Sequence, residues 1–587
     1  MAVVKDGMIK SPARADATFV DRLIDAADRY VDSLLETLAD DVAALPHRAA
    51  MGRLLALLTV YTQPGSAHRG SSLLPAAMGA CVARLEHLQG PAGLFDGTNL
   101  SSPPDSAFTI NDACMTLEIA VAAGDDALED VRRRLRAVVE RVTGALLTGG
   151  VHTPNHRWEL CAALARIHAL LEAEGSPRPG IDARIAEWLA EGIDQLPDGM
   201  YSERSPLYAT AVTNPSLVAI ADSSGRPELL DHVRRNLTAF LPWFNQDGSV
   251  ESLFSRRQDQ WFTFQANAFM MLYRRLANQD GRADFAAAAA WLESMPLHEP
   301  AKLLALTRLD PWLREPLQGP GPFGRLPMPA ALAPAQASLG SCGLHRFRRQ
   351  GTVTTVFGGC DELVPGIVSG LSSNPTFLRL EHGAAALTDV RLSRSFFDLG
   401  PFRSQDTLQT DAGVSLSETV RANFYLPLPP EKRQPDGLYA LEHEGRFSAG
   451  MDFGHRPKVE HRLATSIAVR VEDGGTVLDL VFDGADTSFA LELTFRPGGV
   501  LEGVDTVAGA GTFQLVEGTG SYRVGSDVIE FGRGIAADPD NPPVYNPGEA
   551  YRYLGGTNST DGLKVYITGR TRGTHSITLR GLSLPTH

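Results

Sequence analysis

Two hydrophobic periods divide this chain. From Asp16 to about Met295 apolar residues recur every three or four positions, the spacing of one helical face. In DATFVDRLIDAADRYVDSLLETLADDV the stripe is Phe19, Leu23, Ala27, Tyr30, Leu34 and Leu38. The same spacing predicts helices over 107–122, 127–147, 154–174, 181–196, 205–221, 227–241, 259–276 and 283–294. The breaks between them are short or rich in Gly and Pro, as in PDGMYSERSP and NQDGSVES. Many antiparallel helices on short connections predict a helical toroid or solenoid, although no repeat of fixed length is evident.

Beyond residue 315 the period changes. Residues 316–337 are rich in Pro, Gly and Ala and read as a linker or crossing segment. The runs that follow alternate and are β-branched: LHRFRRQGTVTTVFGG, TSIAVRVEDGGTVLDLVFDG, SFALELTFRPGG and DGLKVYITGRTRGTHSITLRGLSL. Gly, Asp and Pro turns bound them, which predicts antiparallel sheets. Helices first and strands second imply segregated domains. The expected boundaries are a helical domain over 1–315, a β domain over 338–495, and a C-terminal β region over 496–587 that is a candidate separate small domain.

Composition narrows the classes of function. An apolar fraction of 43% and a charged fraction of 21% fit a water-soluble globular protein. No apolar run approaches the roughly 20 residues of a membrane span, so no membrane partner is expected. The stretch MAVVKDGMIKSPARADATF lacks the apolar core of a secretory signal, and Cys81, Cys114, Cys161, Cys342 and Cys360 lack CxxC spacing. Both features predict a cytoplasmic protein with reduced, buried thiols. On that reading the glycosylation-type triplets at Asn99, Asn236 and Asn558 are chance. A formal charge of −15 argues against nucleic-acid partners, while local arginine clusters (Arg256–Arg257; Arg346, Arg348 and Arg349) leave room for an acidic ligand.

The densest chemistry lies in GGVHTPNHRWELCAALARIHAL. Thr153 is a natural N-cap and Pro154 a natural first helical residue, which puts Asn155 and His156 on the first turn. Free N–H groups and the positive dipole end there suit a bound carboxylate and favour a neutral imidazole. Glu159 is spaced to reach Asn155 or His156, while Arg157 and Trp158 are open to either packing or substrate. The competing reading is a cap with a packed Trp158. His156-x-x-Glu159 as half of a metal site finds no second paired motif. No GxSxG elbow supports a Ser hydrolase, and the glycines of VAGAGTFQLVEGTGSYRVG lack the strand–helix setting of a phosphate loop.

A second entrance follows in PDGMYSERSPLYATAV. Ser205–Pro206 starts a helix with Tyr208 on its first turn, near Tyr201, Glu203 and Arg204. Tyrosine exchanges a proton only beside strongly donating or cationic groups. A third loop, DGSVESLFSRRQDQW, offers Glu251, Arg256, Arg257 and Trp261, either as sugar-binding groups or as an ion-pair network.

In combination, the helical half, the β half, the Asn155–His156 pair and a tyrosine some fifty residues on resemble the heparinase II/III-like polysaccharide lyases. The likeness covers most of the chain in architecture but only short stretches in motif. It implies an incomplete (α/α) toroid followed by an antiparallel β-sandwich. It also implies β-elimination on a uronate-containing oligosaccharide or polysaccharide, with Asn155, His156 and Tyr208 catalytic and Tyr201 as the alternative tyrosine. Arg157, Trp158, Glu159, Tyr201, Glu203, Arg204, Arg256, Arg257 and Trp261 are the implied substrate-binding residues, Arg204 or Arg157 aiding Asn155 at the carboxylate.

The sequence departs from the family where a His-Gly-His-type stretch is expected. Ser369-Gly370-Leu371 stands there, so no zinc site and no cofactor are predicted, with a structural divalent metal left open. His345, His382, His455 and His461 are substitutes of lower rank. An acidic oligosaccharide is the expected partner and a monomer or homodimer the expected state. Two other classes compete. One is a glycoside hydrolase using two of Asp112, Glu159, Glu203 and Glu251; the other is a non-catalytic carbohydrate-binding protein.

Overall fold

A computed structural model describes residues 17–36, 42–97, 100–173, 175–317, 326–362, 367, 370–444, 447–507, 511–515, 518–534, 545–548 and 561–585. Asn99, Ser369, Asn558 and much of the 316–337 linker lie outside the described residues. The chain forms two compact units. The first comprises Met1–Ser202, Pro206–Val250 and Phe264–Leu332, and the second Glu203–Ser205, Glu251–Thr263 and Ala333–His587.

The first unit is built from helices α1 (Ala17–Glu36), α2 (His47–Thr62), α3 (Leu74–Leu88), α4 (Pro103–Ala123), α5 (Glu129–Thr148), α6 (Pro154–Ala173), α7 (Ile181–Leu189), α8 (Asn214–Ser224), α9 (Leu230–Phe240), α10 (Met270–Asp280), α11 (Ala283–Glu293) and α12 (Pro300–Leu309). Alternate helices touch: α2 packs on α4, α4 on α6 and α6 on α8, while α3, α5, α7 and α9 each lie against their chain neighbours. Helix α12 packs on α1, α2 and α4. This is the inner and outer layering of a partial (α/α) toroid.

Helix α2, an inner element, is buried on nearly every side, whereas α5 keeps one buried face through Val131, Leu135, Val138, Val142 and Leu146. Amphipathic spacing marks outer helices and uniform apolarity marks inner ones. In α1 the expected stripe drifts. Phe19, Leu23 and Ala27 are buried, but Val31 takes the next buried place while Tyr30 is 40% exposed.

Two helix expectations are corrected. Over 205–221 the chain makes a short turn, Pro206–Tyr208, then a π-helical segment, Ala209–Thr213, before α8. Pro215 has no N–H and its ring crowds the preceding turn. The Asn214 N–H bonds the Ala209 carbonyl instead of the Thr210 carbonyl of an α-helix. Over 259–276 only α10 and short 3₁₀ turns form, because Glu251–Thr263 leaves the helical unit.

In the second unit two main sheets face each other. One orders strands Asp406–Thr410, Gly413–Tyr425, Lys458–Glu472, Gly475–Gly484, Gly573–Ser583, Asp527–Gly534, Gly518–Val524 and Val500–Glu502. The other orders Asp505–Thr506, Thr512–Gln514, Leu563–Arg570, Ser488–Phe495, Ala385–Arg394, Leu378–His382, Thr352–Phe357, Leu344–Arg349 and Gln336–Leu339. Pairing is antiparallel except that Thr512–Gln514 runs parallel to Lys564–Tyr566. Leu392, Leu491 and Ile567 from one sheet pack with Ile467, Leu480 and Ile577 from the other in one core. A β-sandwich results.

The candidate separate domain over 496–587 is corrected too. Gly573–Ser583 lies between Gly475–Gly484 and Asp527–Gly534, and Leu563–Arg570 pairs with Ser488–Phe495. The last strands are therefore interior members of both sheets.

Strand periodicity puts Phe489, Leu491 and Leu493 in the core and Glu492 on the opposite face. There Glu492 lies directly across from Arg391 and Tyr566, accepting bonds from Arg391 Nε (3.0 Å) and Tyr566 Oη (2.9 Å). The segments contributed by the helical half of the sequence cover part of this charged face. Glu251, 1% exposed, accepts from Arg379 Nη1 (2.8 Å), Arg346 Nη2 (3.4 Å) and the N–H groups of Ser252 and Leu253. Removing one partner of a buried ion pair leaves an uncompensated charge in a low-dielectric interior. Glu251→Ala is therefore expected to lower the unfolding free energy by about 3 kcal/mol in urea melts. A loss below about 1 kcal/mol would place these contacts with ordinary surface pairs.

Candidate active site

The first turns of α2, α4 and α6 meet at one corner of the helical unit. Ser102 caps α4 by accepting the Asp105 N–H, with Pro103 as its first residue. The Asp105 carboxylate holds the Arg48 guanidinium from α2. Arg48 lies over the Phe108 ring at 3.9 Å, and Phe108 meets His156 edge-on at 6.1 Å. His152, exposed, also meets His156 edge-on, at 4.8 Å. His156, on the entrance of α6, thus lies against the α4 side chain that carries Arg48 of α2 on its face.

Asn155 is the most constrained of these groups. Its side chain is buried, 1% exposed, and Thr153 Oγ1 donates to its Oδ1 at 2.8 Å. That bond fixes the amide so that Nδ2 points away from the cap. Nδ2 has no hydrogen-bond partner among the described residues. An unsatisfied buried donor costs on the order of 1–3 kcal/mol.

One turn deeper, Glu159 turns away from the helix entrance. Its Oε1 accepts from Asn111 Nδ2 of α4 (2.8 Å) and its Oε2 from Ser216 Oγ of α8 (2.9 Å). Burial pushes its carboxyl above the usual range, against the pull of those two bonds and of the Lys302 charge. Glu159 therefore fastens the helix bearing Asn155 and His156 to its two inner neighbours. The α8 side leads back through the π segment, which packs on α6, to the half-buried Tyr208.

Other expected substrate groups have structural duties. Arg157 pairs with Glu191 (2.8 Å) and Asp194 (3.2 Å) while lying over Trp158, whose Nε1 donates to Asp194 (3.3 Å). Trp158 is fully buried, so the packing alternative describes this pair. Tyr201 is also interior. Its hydroxyl donates to Asn214 Oδ1 at 2.7 Å, and Asn214 and Asn236 extend the chain of bonds to the Gly199 carbonyl. Burial raises its phenol well above the ordinary value. Burial corrects the expectation of Trp158 and Tyr201 as substrate contacts, while Arg157 is engaged in ion pairs.

Glu203, Arg204, Arg256, Arg257 and Trp261 belong to the second unit. Arg204, in a left-handed conformation (φ 53°), donates to the Gly359 and Ser341 carbonyls at 3.0 and 2.9 Å, so those two nitrogens serve backbone rather than a carboxylate. Arg256 forks onto Asp361 at 2.9 and 2.7 Å, and Arg257 pairs with Glu203 at 3.2 Å. The ion-pair reading describes these arginines, while Trp261 is half-buried. His345 and His382 are buried on Ser338 and on Thr352 and Ser583, His455 pairs with Asp452, and His461 lies against Phe397 and Phe424.

Among the described residues no group of three or more His, Cys, Asp and Glu is placed to hold a metal ion. No described helix is long and apolar enough to cross a membrane. The five cysteines are free, and burial pushes the Cys81 thiol up to about 11 and those of Cys114, Cys161 and Cys360 up to about 12.

Neither a family model nor a curated protein matches the sequence. Solved structures do match the fold. Heparinase III superimposes with a TM-score of 0.52 at 11% identity, over 92% of this chain and 77% of that one. A Paenibacillus xanthan lyase superimposes with a TM-score of 0.51 at 10% identity, over 98% of this chain and 58% of that one. The chain has the toroid-plus-sandwich fold of these enzymes.

Because Glu159 is held with a raised pKa, the folded protein binds its proton more tightly than the unfolded chain does. Its contribution to stability is complete below the unfolded value and falls as pH rises through the folded one. Glu159→Gln preserves an acceptor for Asn111 and offers a donor to Ser216. It is expected to fold and to flatten that part of the stability–pH curve in urea melts. Glu159→Ala strands both partners and should cost about 2 kcal/mol.

Proposed function

We propose that this protein is a carbohydrate lyase that cleaves uronate-containing oligosaccharides by β-elimination and leaves an unsaturated uronyl product. The observation that carries this reading is the buried Asn155 amide on the first turn of α6, next to His156; the amide Nδ2 has no hydrogen-bond partner among the described residues. A uronate carboxylate supplies the missing acceptor.

Elimination begins with loss of the weakly acidic C5 proton, and negative charge then spreads into the carboxylate. A fixed donor at the positive end of α6 stabilises that charge as it develops. His156 or Tyr208 takes the proton, according to the configuration at C5, and Tyr208 protonates the departing O4. Electrons from the C–H bond form the C4–C5 double bond as the C4–O bond breaks, so no water is consumed.

The fold of the two lyase structures supports this choice over a hydrolase. The pairing of the candidate carboxylates supports it as well. Asp112 is paired with Lys302 (3.0 Å), Glu159 with Asn111 and Ser216, Glu203 with Arg257, and Glu251 with Arg346 and Arg379. A hydrolase needs two carboxyl groups directed at one bond. We place the reaction in the cytoplasm, on short acidic fragments, with the protein a monomer or homodimer.

Incubation with a panel of uronate oligosaccharides is expected to give ultraviolet-absorbing products whose masses add no water. Asn155→Ala should lower kcat by about 10²-fold or more, and Tyr208→Phe by at least about 10²-fold. Tyr201→Phe, which removes only the buried bond to Asn214, should leave kcat nearly unchanged. Products one water heavier would establish a hydrolase, and binding without product a carbohydrate-binding protein.

A further inference from the structure

We propose that Arg48 and His152 form an anion subsite beside Asn155 and His156, taking the carboxylate or sulfate of the sugar that adjoins the one losing its proton. This rests on the lyase reading for its placement along the substrate, but not for the existence of the subsite.

Arg48 is 46% exposed at its side chain, yet it is not a loose surface cation. The Phe108 ring lies beneath its guanidinium at 3.9 Å, and Asp105 holds Nη2 from one side. Stacking and one ion pair fix the plane of the group, and the fork retains further N–H donors for a planar or tetrahedral anion. Little rotamer freedom is left to lose on binding, which is what favours a preorganised contact.

The location is set by ring contacts. Phe108 carries Arg48 on its face and meets His156 at its edge, so a single aromatic ring separates the cation from the candidate catalytic imidazole. His152 also meets His156 edge-on, is exposed, and always has a ring N–H to donate. Helix entrances of α2, α4 and α6 add N–H groups and dipole charge of the same sign. The Asp105 carboxylate in this corner is already paired with Arg48.

Charge gives the second argument. A chain of net charge −15 repels a polyanion at long range. Asn155 is neutral, so it recognises one carboxylate through hydrogen bonds without overcoming that repulsion. Arg48 adds charge-assisted donors one ring away, and these distinguish substrates with a second anionic group from those without.

The test uses the full-length protein and oligosaccharides of equal length. One carries a single uronate, one has two adjoining uronates, and one has a uronate beside a sulfated sugar. Affinity is read by calorimetry and product by ultraviolet absorbance. Arg48→Ala is expected to weaken both doubly anionic ligands about tenfold and the singly anionic one hardly at all. KM should follow affinity while kcat holds.

Arg48→Lys should recover part of the difference, and His152→Gln should add a smaller loss. A loss confined to one doubly anionic ligand identifies the substituent as carboxylate or sulfate. Thermal melts report folding, and if Arg48→Ala misfolds, Arg48→Lys and His152→Gln carry the comparison. Equal losses across the three ligands, or none, overturn the subsite. If no ligand yields unsaturated product while the Arg48-dependent difference persists, the lyase reading fails and the subsite stands.

Discussion

The helical unit depends on one buried carboxylate. Glu159 joins three inner helices through two hydrogen bonds, to Asn111 of α4 and Ser216 of α8. Each bond alone contributes about 1 kcal/mol net, but a buried carboxylate without partners is costly, so the arrangement is enforced from both sides. That enforcement fixes the height of the α6 entrance relative to its neighbours. Asn155 and His156 lie within one turn of Glu159 on the same helix, and a shift of α6 along its axis would displace both from the carboxylate they are proposed to meet. Lys302, paired with Asp112 on α4, supplies a nearby positive charge that offsets part of the burial penalty.

The β unit shows the same economy with charge. Its two sheets bury an apolar core between them, yet the opposite face of one sheet carries Arg346, Arg379, Arg391 and Glu492, all but Arg379 nearly inaccessible. Such a face cannot remain bare of partners in a dry environment. Glu251 reaches Arg346 and Arg379, Arg256 reaches Asp361, and Arg204 bonds the Gly359 and Ser341 carbonyls. All three come from loops between helices in the sequence. Compactness therefore does not follow the sequence boundary near residue 315, because the polar groups of the sheet are satisfied by segments encoded far upstream.

Much of this architecture is legible from periodicity, and the exceptions have physical causes. Steps of three and four locate α4, α5, α6 and α11 to within a few residues, and alternation locates the hairpins. Tight turns such as Gln350–Gly351, both at positive φ, are written in the residues. A period reports which face is buried, but not against what. Glu251–Thr263 keeps its polar residues whether it belongs to the helices or to the sheet, so its allegiance is invisible. Trp158 and Arg157 illustrate the same limit at the site. Their types suit sugar binding, and only the positions of Glu191 and Asp194 show that they are already engaged. Arg48, Phe108 and His152 come from three separate segments, and nothing in the local sequence marks them as neighbours.

The π segment after Tyr208 separates two orientations that a regular helix would couple. A regular helix through Pro215 would need the proline ring to clear the turn before it, and the chain avoids this by inserting the wider turn at Ala209–Thr213. The insertion rotates everything N-terminal to it relative to α8. Tyr208 thus takes its direction from the widened turn, while Ser216, beyond it, keeps the register that Glu159 requires. Had the helix been regular, one rotation would have had to satisfy both the buried Glu159–Ser216 bond and the orientation of the tyrosine. Separating them lets the interior be packed for stability while Tyr208 is oriented independently, which suits the proposed elimination because its acid and its carboxylate anchor would approach one sugar from different elements.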